Sequence, residues 1–282
     1  MESMLIDRLS TLAHPQRMAV FRLLMRRFPD ALPAGEIAQA LRLKASTTSV
    51  YLGALTRAEL ITQERQGTSL RYALDLAGAQ GMVRSLFLDC CGGRPDLCPP
   101  EFVDPFREGL GQTPQDKFNV LFICTGNSAR SIFAEALLRD LAGDRFNVFS
   151  AGTFPSDAPH PLALATLEQA GVSIENLRSQ SLAEFQGQDA PIMQFVFTVC
   201  DQAANEECPA WPGQPITAHW GLPDPAKVEG SEVEHKAAFR AAFEAMKGRI
   251  EAFAALPIET LSGLTLQAQV DGIGREIIET KD

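Results

Sequence analysis

Residues 119–131 constrain the fold of this chain more than any other stretch. The apolar run at 120–123 contains β-branched and aromatic residues, which predict a buried strand, and it stops at Cys124. Small, turn-forming residues follow, and the apolar spacing then becomes that of a helix. Strand, tight loop and helix N-terminus together predict an anion-binding cradle, because loop N–H groups and the positive end of the helix dipole point at one place.

Two side chains in this stretch carry chemistry. Cys124 is expected to be a thiolate near neutral pH, since a helix N-terminus lowers the pKa of a thiol. Arg130, six positions later, can clamp a tetrahedral oxyanion through its planar guanidinium. The alternative is a buried cysteine that merely ends a core strand. The residues predicted to surround the oxyanion are Thr125, Gly126, Asn127, Ser128, Ala129 and Arg130.

Cysteine, five loop residues, arginine and serine after a strand resemble the loop of the low-molecular-weight tyrosine phosphatases and of the arsenate reductases that share their fold. The resemblance covers about half of the chain and implies a flavodoxin-like sheet with oxyanion chemistry on Cys124. It does not say which oxyanion. The alternation of strands and helices in residues 117–282 also predicts an α/β domain with a parallel sheet, with Cys124 at the carboxyl end of a strand.

Length and composition predict two domains in one cytoplasmic protein. The 282 residues are 45% hydrophobic, which is enough for two cores. Neither a transmembrane run nor a signal segment is visible, so we expect a cytoplasmic location, no membrane partner and reduced cysteines. The net charge is −10, yet residues 1–84 hold eleven Lys and Arg against seven Asp and Glu. A basic head suits contact with nucleic acid, although an ordinary solvated surface can have the same balance.

Residues 1–100 predict a mainly α-helical DNA-binding domain. Helical spacing is interrupted at His14 and Pro15, and two short helices near Ile37 and Tyr51 flank a polar turn. Two extended arms around Gly67 then predict a β-hairpin wing. A helix-turn-helix pair alone is only moderately specific.

The order of helices and wing, with the opening at residues 12–17, resembles the ArsR-type winged-helix repressors. This resemblance implies a homodimer on a palindromic operator, with the helix from Ser46 in the major groove. Hydroxyl residues at a helix start suit capping as well as DNA contact, so both interpretations stand. The residues predicted to lie nearest the DNA are Ser46, Thr47, Thr48, Ser49 and Tyr51 on the helix, with Arg65 and Arg71 in the wing.

Cys90, Cys91 and Cys98 form a predicted ligand set around a Gly-Gly turn. Adjacent cysteines do not readily bond each other, but three thiolates can bind a soft, three-coordinate ion. Zinc usually takes a fourth ligand and no histidine lies nearby, so arsenite or antimonite is favoured as the inducer. Some ArsR-type arsenic sensors carry a similar cysteine set, which this stretch resembles. A linker with incidental cysteines is the alternative.

Proline and glycine density after this cluster predicts a linker. The predicted division is therefore a winged-helix sensor domain over residues 1–100, a linker over 101–116 and an α/β domain over 117–282.

Two further segments narrow the chemistry of the α/β domain. Asp224 precedes a proline, which usually indicates only a turn, but the phosphatases and reductases that this domain resembles place their general acid in such a loop. Cys200 ends a predicted strand and Cys208 follows eight positions later, which permits thiolate attack on an adduct and then on a disulfide. A core cysteine with an unrelated surface cysteine is the alternative. Arsenate reduction takes two electrons from thiols, whereas a phosphatase needs none.

The features together predict an arsenite-responsive repressor fused to a thiol-dependent arsenate reductase without a tightly bound cofactor. Cys124 is expected to attack arsenate, Asp224 to protonate the leaving oxygen, and Cys200 and Cys208 to pass the oxidation on as disulfides. Ser131 is expected to donate a hydrogen bond to the Cys124 thiolate, and Asn127 is expected to hold the shape of the loop.

The final reductant is predicted to be external: thioredoxin, glutaredoxin or a small thiol. The thioredoxin-linked reductases carry a cysteine where this chain has Ala129, and they space the two relay cysteines one residue closer. With the longer spacing here, either Cys208 or the external thiol is the group that resolves the first disulfide. Two alternatives remain open: a tyrosine phosphatase fused to a repressor, and a DNA-binding sensor whose second domain only binds oxyanions or dimerises.

Overall fold

The computed structural model describes residues 2–86, 117–187, 190–206, 211, 215–261 and 263–276. The chain divides into two compact units, Met1–Asp104 and Pro105–Asp282. The predicted linker at 101–116 lies outside the described residues, so the three-part division stays a prediction. Among the helices that are described, none combines the length and apolarity needed to cross a bilayer.

The N-terminal unit is mainly helical, as predicted. Its helices are α1 (Glu2–Leu12), α2 (Pro15–Arg26), α3 (Ala34–Ala40), α4 (Ala45–Arg57) and α5 (Leu76–Ser85). The predicted interruption at residue 14 is confirmed: His14 caps α2 by accepting the N–H of Gln16 through Nδ1, and Pro15 occupies the first turn, where its missing N–H costs nothing. Buried aliphatic side chains from α2, α3 and α4 form the core of the unit.

A small antiparallel sheet completes this unit, in the order β1 (Leu32–Pro33), β3 (Ser69–Leu74), β2 (Ile61–Gln66). Strands β2 and β3 form the predicted wing, with Gln66 opposite Ser69 at its tip. Gly67 adopts φ of 61° in the connecting turn, a conformation that glycine reaches without a Cβ penalty.

The C-terminal unit is built on a parallel four-stranded sheet in the order β5-β4-β6-β7, which confirms the predicted fold class. The strands are β4 (Phe118–Cys124), β5 (Phe146–Gly152), β6 (Phe195–Thr198) and β7 (Ile216–His219). Strand β4 is central, and residues 120–123 are fully buried, as expected for a strand covered on both faces. The carboxyl ends of neighbouring strands lie in register: Cys124 pairs with Gly152, and Thr198 pairs with His219.

Helices of this unit are α6 (Arg130–Ala142), α7 (Pro161–Gln169), α8 (Asp201–Asn205), α9 (Glu232–Ala254) and α10 (Gly263–Glu276). The last helix, α10, lies against the edge strand β7. Gln267 Nε2 donates to the Thr217 carbonyl at 2.7 Å, and Trp220 Nε1 donates to the Val270 carbonyl at 3.1 Å. The helix thus covers a sheet edge that would otherwise be open.

Asp271 on α10 provides a test of this packing. Burial raises the pKa of its carboxyl to about 6, although Gln267 and Arg275 oppose the shift. Because the folded pKa lies above the unfolded one, the stability contribution of this group is complete at low pH and is lost as pH rises through about 6. Asp271→Asn should therefore raise the unfolding free energy on the order of 1 kcal/mol at about pH 8, and have little effect at about pH 4. Urea unfolding at the two pH values measures this; a pH-independent difference would contradict it.

Candidate active site

The loop between β4 and α6, residues 124–130, is here called the anion loop. The backbone carbonyls of residues 124–128 all accept hydrogen bonds from outside the loop. Four of the donors are N–H groups of the segment after β5, and one is a hydroxyl. The pairs are Thr153 N to Cys124 O (3.1 Å), Phe154 N to Thr125 O (2.9 Å), Ser156 N to Gly126 O (2.8 Å), Ser179 Oγ to Asn127 O (2.7 Å) and His160 N to Ser128 O (2.8 Å). In a trans peptide the next N–H points opposite to the carbonyl, so the N–H groups of residues 125–129 turn inward.

Gly152 allows this close approach of β5 to the anion loop. A Cβ on Gly152 would lie 2.7 Å from the Thr125 carbonyl oxygen and 3.1 Å from Asn127 Cβ. A glycine is therefore required at this position by the neighbouring backbone rather than by its own conformation.

Asn127 connects the anion loop to the surrounding structure and is fully buried. Its Oδ1 accepts the N–H of Gln180 at 2.7 Å, and its Nδ2 donates to Ser131 Oγ at 2.9 Å and to Ser150 Oγ at 2.7 Å. Its φ of 44° lies in the left-handed region, which asparagine tolerates better than most residues. These contacts support the predicted role of Asn127 in holding the shape of the loop.

Cys124 Sγ lies at the base of the loop, with the Ser131 hydroxyl 2.9 Å away and the Asn127 N–H 3.1 Å away. Ser131 Oγ already accepts from Asn127 Nδ2, so its own hydrogen is available to the sulfur. Burial raises the pKa of the Cys124 thiol, and the neighbouring Cys200 raises it further; Ser131, Arg130 and the Asn127 N–H lower it by less. The prediction of a thiolate near neutral pH is therefore wrong for this structure, because burial and Cys200 raise the thiol pKa by more than Ser131, Arg130 and the Asn127 N–H lower it.

A buried carboxylate lies behind the loop and was not predicted. Ser150 Oγ donates to Glu135 Oε2 at 2.6 Å, and burial raises the pKa of Glu135 despite its contacts with Ser150 and Arg139. A continuous set of hydrogen bonds thus runs from Glu135 through Ser150, Asn127 and Ser131 to Cys124. The available signal was an acidic residue among the apolar positions of α6.

Arg130 and Asp224, the predicted oxyanion clamp and the predicted general acid, lie side by side in the structure. Arg130 Nη2 donates to Asp224 Oδ2 at 2.8 Å, and Nη1 donates to the Leu222 carbonyl at 2.9 Å. The two side chains are 11% and 25% exposed, so the pair sits at the mouth of the site. Asp224 Oδ1 also accepts the N–H of Ala226, which sets the Asp-Pro turn.

Cys200, the second cysteine of the predicted relay, lies beside the anion loop. Cys200 Sγ is 3.4 Å from the Thr125 hydroxyl and accepts the N–H of Ala203 at 3.5 Å. Both Cys124 and Cys200 are buried thiols not joined in a disulfide. Cys208, the third predicted relay cysteine, lies outside the described residues, as do Cys90, Cys91 and Cys98.

The N-terminal unit places most of the predicted DNA contacts on its surface. Helix α4 begins at Ala45 without a side-chain cap, so its hydroxyl residues do not cap it. Thr48 is the exception to the predicted set: it is fully buried, and its hydroxyl bonds the Lys44 carbonyl. A buried side chain cannot reach a base edge, so Thr48 is removed from the predicted contacts.

The remaining predicted positions on this unit differ in their contacts. Ser46, Ser49, Arg65 and Arg71 are exposed, while Thr47 and Tyr51 are half-buried. The Tyr51 hydroxyl donates to Gln16 Oε1, and Arg71 Nη1 donates to the Ala31 carbonyl at 3.0 Å.

Both units of this chain are similar to known proteins. Residues 119–263, about half of the chain, match the low molecular weight phosphotyrosine protein phosphatase family, and residues 12–64 match a helix-turn-helix domain. The arsenate reductase of Halalkalibacterium halodurans is 36% identical over 135 residues, which are 48% of this chain and 94% of that protein. The arsenate reductase of Bacillus licheniformis is 36% identical over 141 residues, 49% of this chain and 96% of that protein. A solved arsenate reductase in its oxidized state is 28% identical, covers 49% of this chain and 96% of that chain, and has a TM-score of 0.41.

The chain belongs to the low molecular weight phosphotyrosine protein phosphatase family. More particularly, it is a fusion of an N-terminal helix-turn-helix domain with a domain of the arsenate-reductase type, as the sequence predicted.

Proposed function

We propose that this protein reduces arsenate to arsenite and represses transcription in response to arsenite. The observation that carries the enzymatic half is the second thiol: the buried Cys200 Sγ lies 3.4 Å from the hydroxyl of Thr125, the residue that follows the nucleophile. A phosphate ester can be hydrolysed without it, whereas a two-electron reduction requires such a thiol. The relatives named arsenate reductases support the same substrate.

The first step forms a bond between Cys124 Sγ and arsenic. Arsenate binds to the inward N–H groups of the anion loop and takes the place of Asp224 on Arg130. The Cys124 thiol passes its proton to an arsenate oxygen, and the resulting thiolate is stabilised by the Ser131 hydroxyl and the Asn127 N–H. Asp224, released from Arg130, takes up this thiol proton from arsenate and delivers it to the hydroxyl that leaves as sulfur attacks, so the proton ends on the released water.

The second step carries the redox chemistry. Cys200 gives its thiol proton to an oxygen of the arsenic adduct, and its sulfur attacks Cys124 Sγ. A sulfur–sulfur bond forms, and the sulfur–arsenic bond breaks with its electron pair remaining on arsenic. Arsenic leaves as arsenite, and two thiols have been oxidised. Cys208 then exchanges with this disulfide, and an external thiol, from thioredoxin, glutaredoxin or a small molecule, restores the reduced enzyme. We propose a cytoplasmic location, because regeneration by thiols needs a reducing compartment.

Turnover by the wild-type protein tests this assignment. Arsenate-dependent oxidation of NADPH, coupled through a thioredoxin or a glutaredoxin system, should proceed with one of the two donors. Mass spectrometry after one equivalent of arsenate should show a disulfide of Cys200, either with Cys124 or, after the exchange step, with Cys208. Efficient hydrolysis of an aryl phosphate without arsenate turnover would instead establish a phosphatase, and binding of arsenate without a disulfide would establish a sensor.

Arg130→Lys is expected to weaken binding of inorganic phosphate by about tenfold to a hundredfold, because an ammonium keeps the charge but cannot form two parallel bonds to an oxyanion. Binding is measured by the protection of Cys124 from alkylation. The matched control is Arg240→Lys, at an exposed position of α9, which should bind phosphate as the wild type does. Equal affinities in the two variants would remove Arg130 from the clamp.

For the regulatory half, we propose a homodimer that binds operator DNA through α4 and the wing. Exposed apolar side chains on α1 and α5 support the dimer; they are Met4, Ile6 and Leu9 on α1, and Leu76 and Val83 on α5. Large apolar residues that recur on two helices of one small unit are typical of a subunit interface. Exposed Arg65 and Arg71 in the wing suit phosphate contact.

Arsenite is the proposed inducer, with Cys90, Cys91 and Cys98 as its ligands on the evidence of their spacing. The protein with all three residues replaced by serine should bind operator DNA with wild-type affinity and should no longer be released by arsenite. Fluorescence anisotropy of a duplex selected from a random pool measures both properties. Release of the triple variant at wild-type arsenite concentrations would refute the ligand assignment.

A further inference from the structure

His219 connects the two segments on either side of Cys200. Its side chain is 1% exposed and stands at the end of β7. Nδ1 lies 2.8 Å from the hydroxyl of Thr198, the last residue of β6, and Nε2 lies 3.1 Å from Oδ1 of Asp201, the first residue of α8. Cys200 lies between these two partners in the chain and is the residue that precedes α8.

The hydrogen-bond roles at His219 follow from its partners. A carboxylate only accepts, so the hydrogen on Nε2 points to Asp201. The Thr198 hydroxyl can donate to Nδ1 of the neutral ring. One imidazole thus fixes the backbone before and after Cys200 without requiring a charge.

The adjoining backbone is shaped around this arrangement. Trp220 N donates to the Thr198 carbonyl at 2.7 Å, and Leu222 N donates to the Val199 carbonyl at 3.2 Å. A Cβ on Gly221 would lie 2.6 Å from His219 Nε2 and 2.7 Å from Asp201 Oδ1. Only glycine at this position leaves room for the bond between His219 and Asp201.

We propose that His219 is a positioning residue for Cys200, acting through Asp201 and Thr198. It holds the turn that carries Cys200 so that Sγ stays beside the anion loop, ready to attack Cys124 Sγ once arsenic is bound there. His219 touches neither arsenic nor the reacting sulfurs and transfers no proton in this step. The inference rests on the proposed disulfide relay and extends it to a residue outside the loop, the acid and the thiols.

The alternative is a buried histidine that only stabilises the fold. The two roles predict different effects of a His219 substitution. Arsenate binding and formation of the sulfur–arsenic bond use the anion loop, whereas His219 is hydrogen-bonded to the segment that carries Cys200. A positioning role predicts slow disulfide formation with unchanged oxyanion affinity. A general loss of structure would lower both.

The test is a single-turnover experiment on the full chain with one equivalent of arsenate, quenched by alkylation and followed by mass spectrometry. The variant pair His219→Asn and His219→Gln separates the contacts, since only the longer glutamine amide reaches the position of Nε2. Formation of the Cys200 disulfide, with Cys124 or after exchange with Cys208, should slow about tenfold to a hundredfold in His219→Asn and stay within about threefold of wild type in His219→Gln. Phosphate affinity should be unchanged in both.

A second pair acts from the other side of the bond and keeps the proposal testable if His219→Asn does not fold. Asp201→Ala removes the acceptor and should slow the disulfide step to a similar extent, while Asp201→Asn retains an oxygen that accepts from Nε2 and should react at nearly the wild-type rate. Wild-type protein that forms no disulfide with arsenate would refute the proposed function itself. Suppose that the wild type forms the disulfide. The role of His219 would then be overturned if His219→Asn and Asp201→Ala react as fast as the wild type, or if they lose phosphate affinity in parallel with the rate.

Discussion

Replacement of Cys200 by serine should lower arsenate turnover at least about a thousandfold, because a serine hydroxyl is neither anionic nor able to form the sulfur–sulfur bond that releases arsenite. The variant should stop after the first step and accumulate one arsenic atom on Cys124. Turnover with a coupled thiol donor measures the loss, and native mass spectrometry measures the adduct. The geometric basis is the contact of Cys200 Sγ with Thr125 in the anion loop.

The same variant contains its own control for folding. Hydrolysis of an aryl phosphate uses Cys124, Arg130 and Asp224 but not Cys200, so any such activity of the wild type should survive within about threefold. Loss of both activities would indicate a structural defect. Arsenate turnover that survives Cys200→Ser would refute the relay and favour reduction of the Cys124 adduct directly by an external thiol.

Asp224→Asn is expected to have opposite effects on catalysis and binding. The kcat for arsenate should fall about a thousandfold, because an amide cannot protonate the leaving oxygen. Inorganic phosphate should bind about fivefold more tightly, a gain on the order of 1 kcal/mol, because the Asp224 carboxylate, 2.8 Å from Arg130 Nη2, no longer competes with the oxyanion for the guanidinium. Steady-state rates and protection of Cys124 from alkylation give the two quantities.

A matched control separates this local competition from a general charge effect. Asp144→Asn removes the same charge at an exposed position of the same unit and should change neither quantity. If Asp224→Asn lowers phosphate affinity together with kcat, then Asp224 holds Arg130 in its binding position rather than competing for it, and the proposed exchange of partners is wrong.

The sequence alone was sufficient for the features that depend on local patterns. Strand β4, the turn after it and helix α6 follow from the apolar spacing and the small residues of one continuous segment, and the structure confirms them. The alternation of strands and helices was likewise enough to predict the parallel sheet. Parallel pairing brings the strand ends together, so the meeting of Cys124 with the segment of Cys200 followed from fold class.

Other properties required the tertiary structure because their causes lie far apart in the chain. The orientation of Asn127 depends on Gln180, which is 53 positions away, and the position of His219 depends on Asp201 and Thr198. Thr48 has the same hydroxyl as its neighbours, but its side chain faces the core. Helical spacing alone did not reveal this, because the start of the helix could not be located accurately from the sequence.

The pKa of Cys124 shows most clearly the difference between what the sequence determines and what the tertiary structure determines. The sequence determined which residue carries the thiol and that a loop and a helix N-terminus follow it, and these features lower a thiol pKa. Only the tertiary structure determined how deeply the sulfur is buried, and here desolvation outweighs the contacts with Ser131, Arg130 and the Asn127 N–H. Local sequence thus determines the chemical groups of this site, whereas burial and long-range hydrogen bonds, which depend on how distant segments pack, determine their ionisation and orientation.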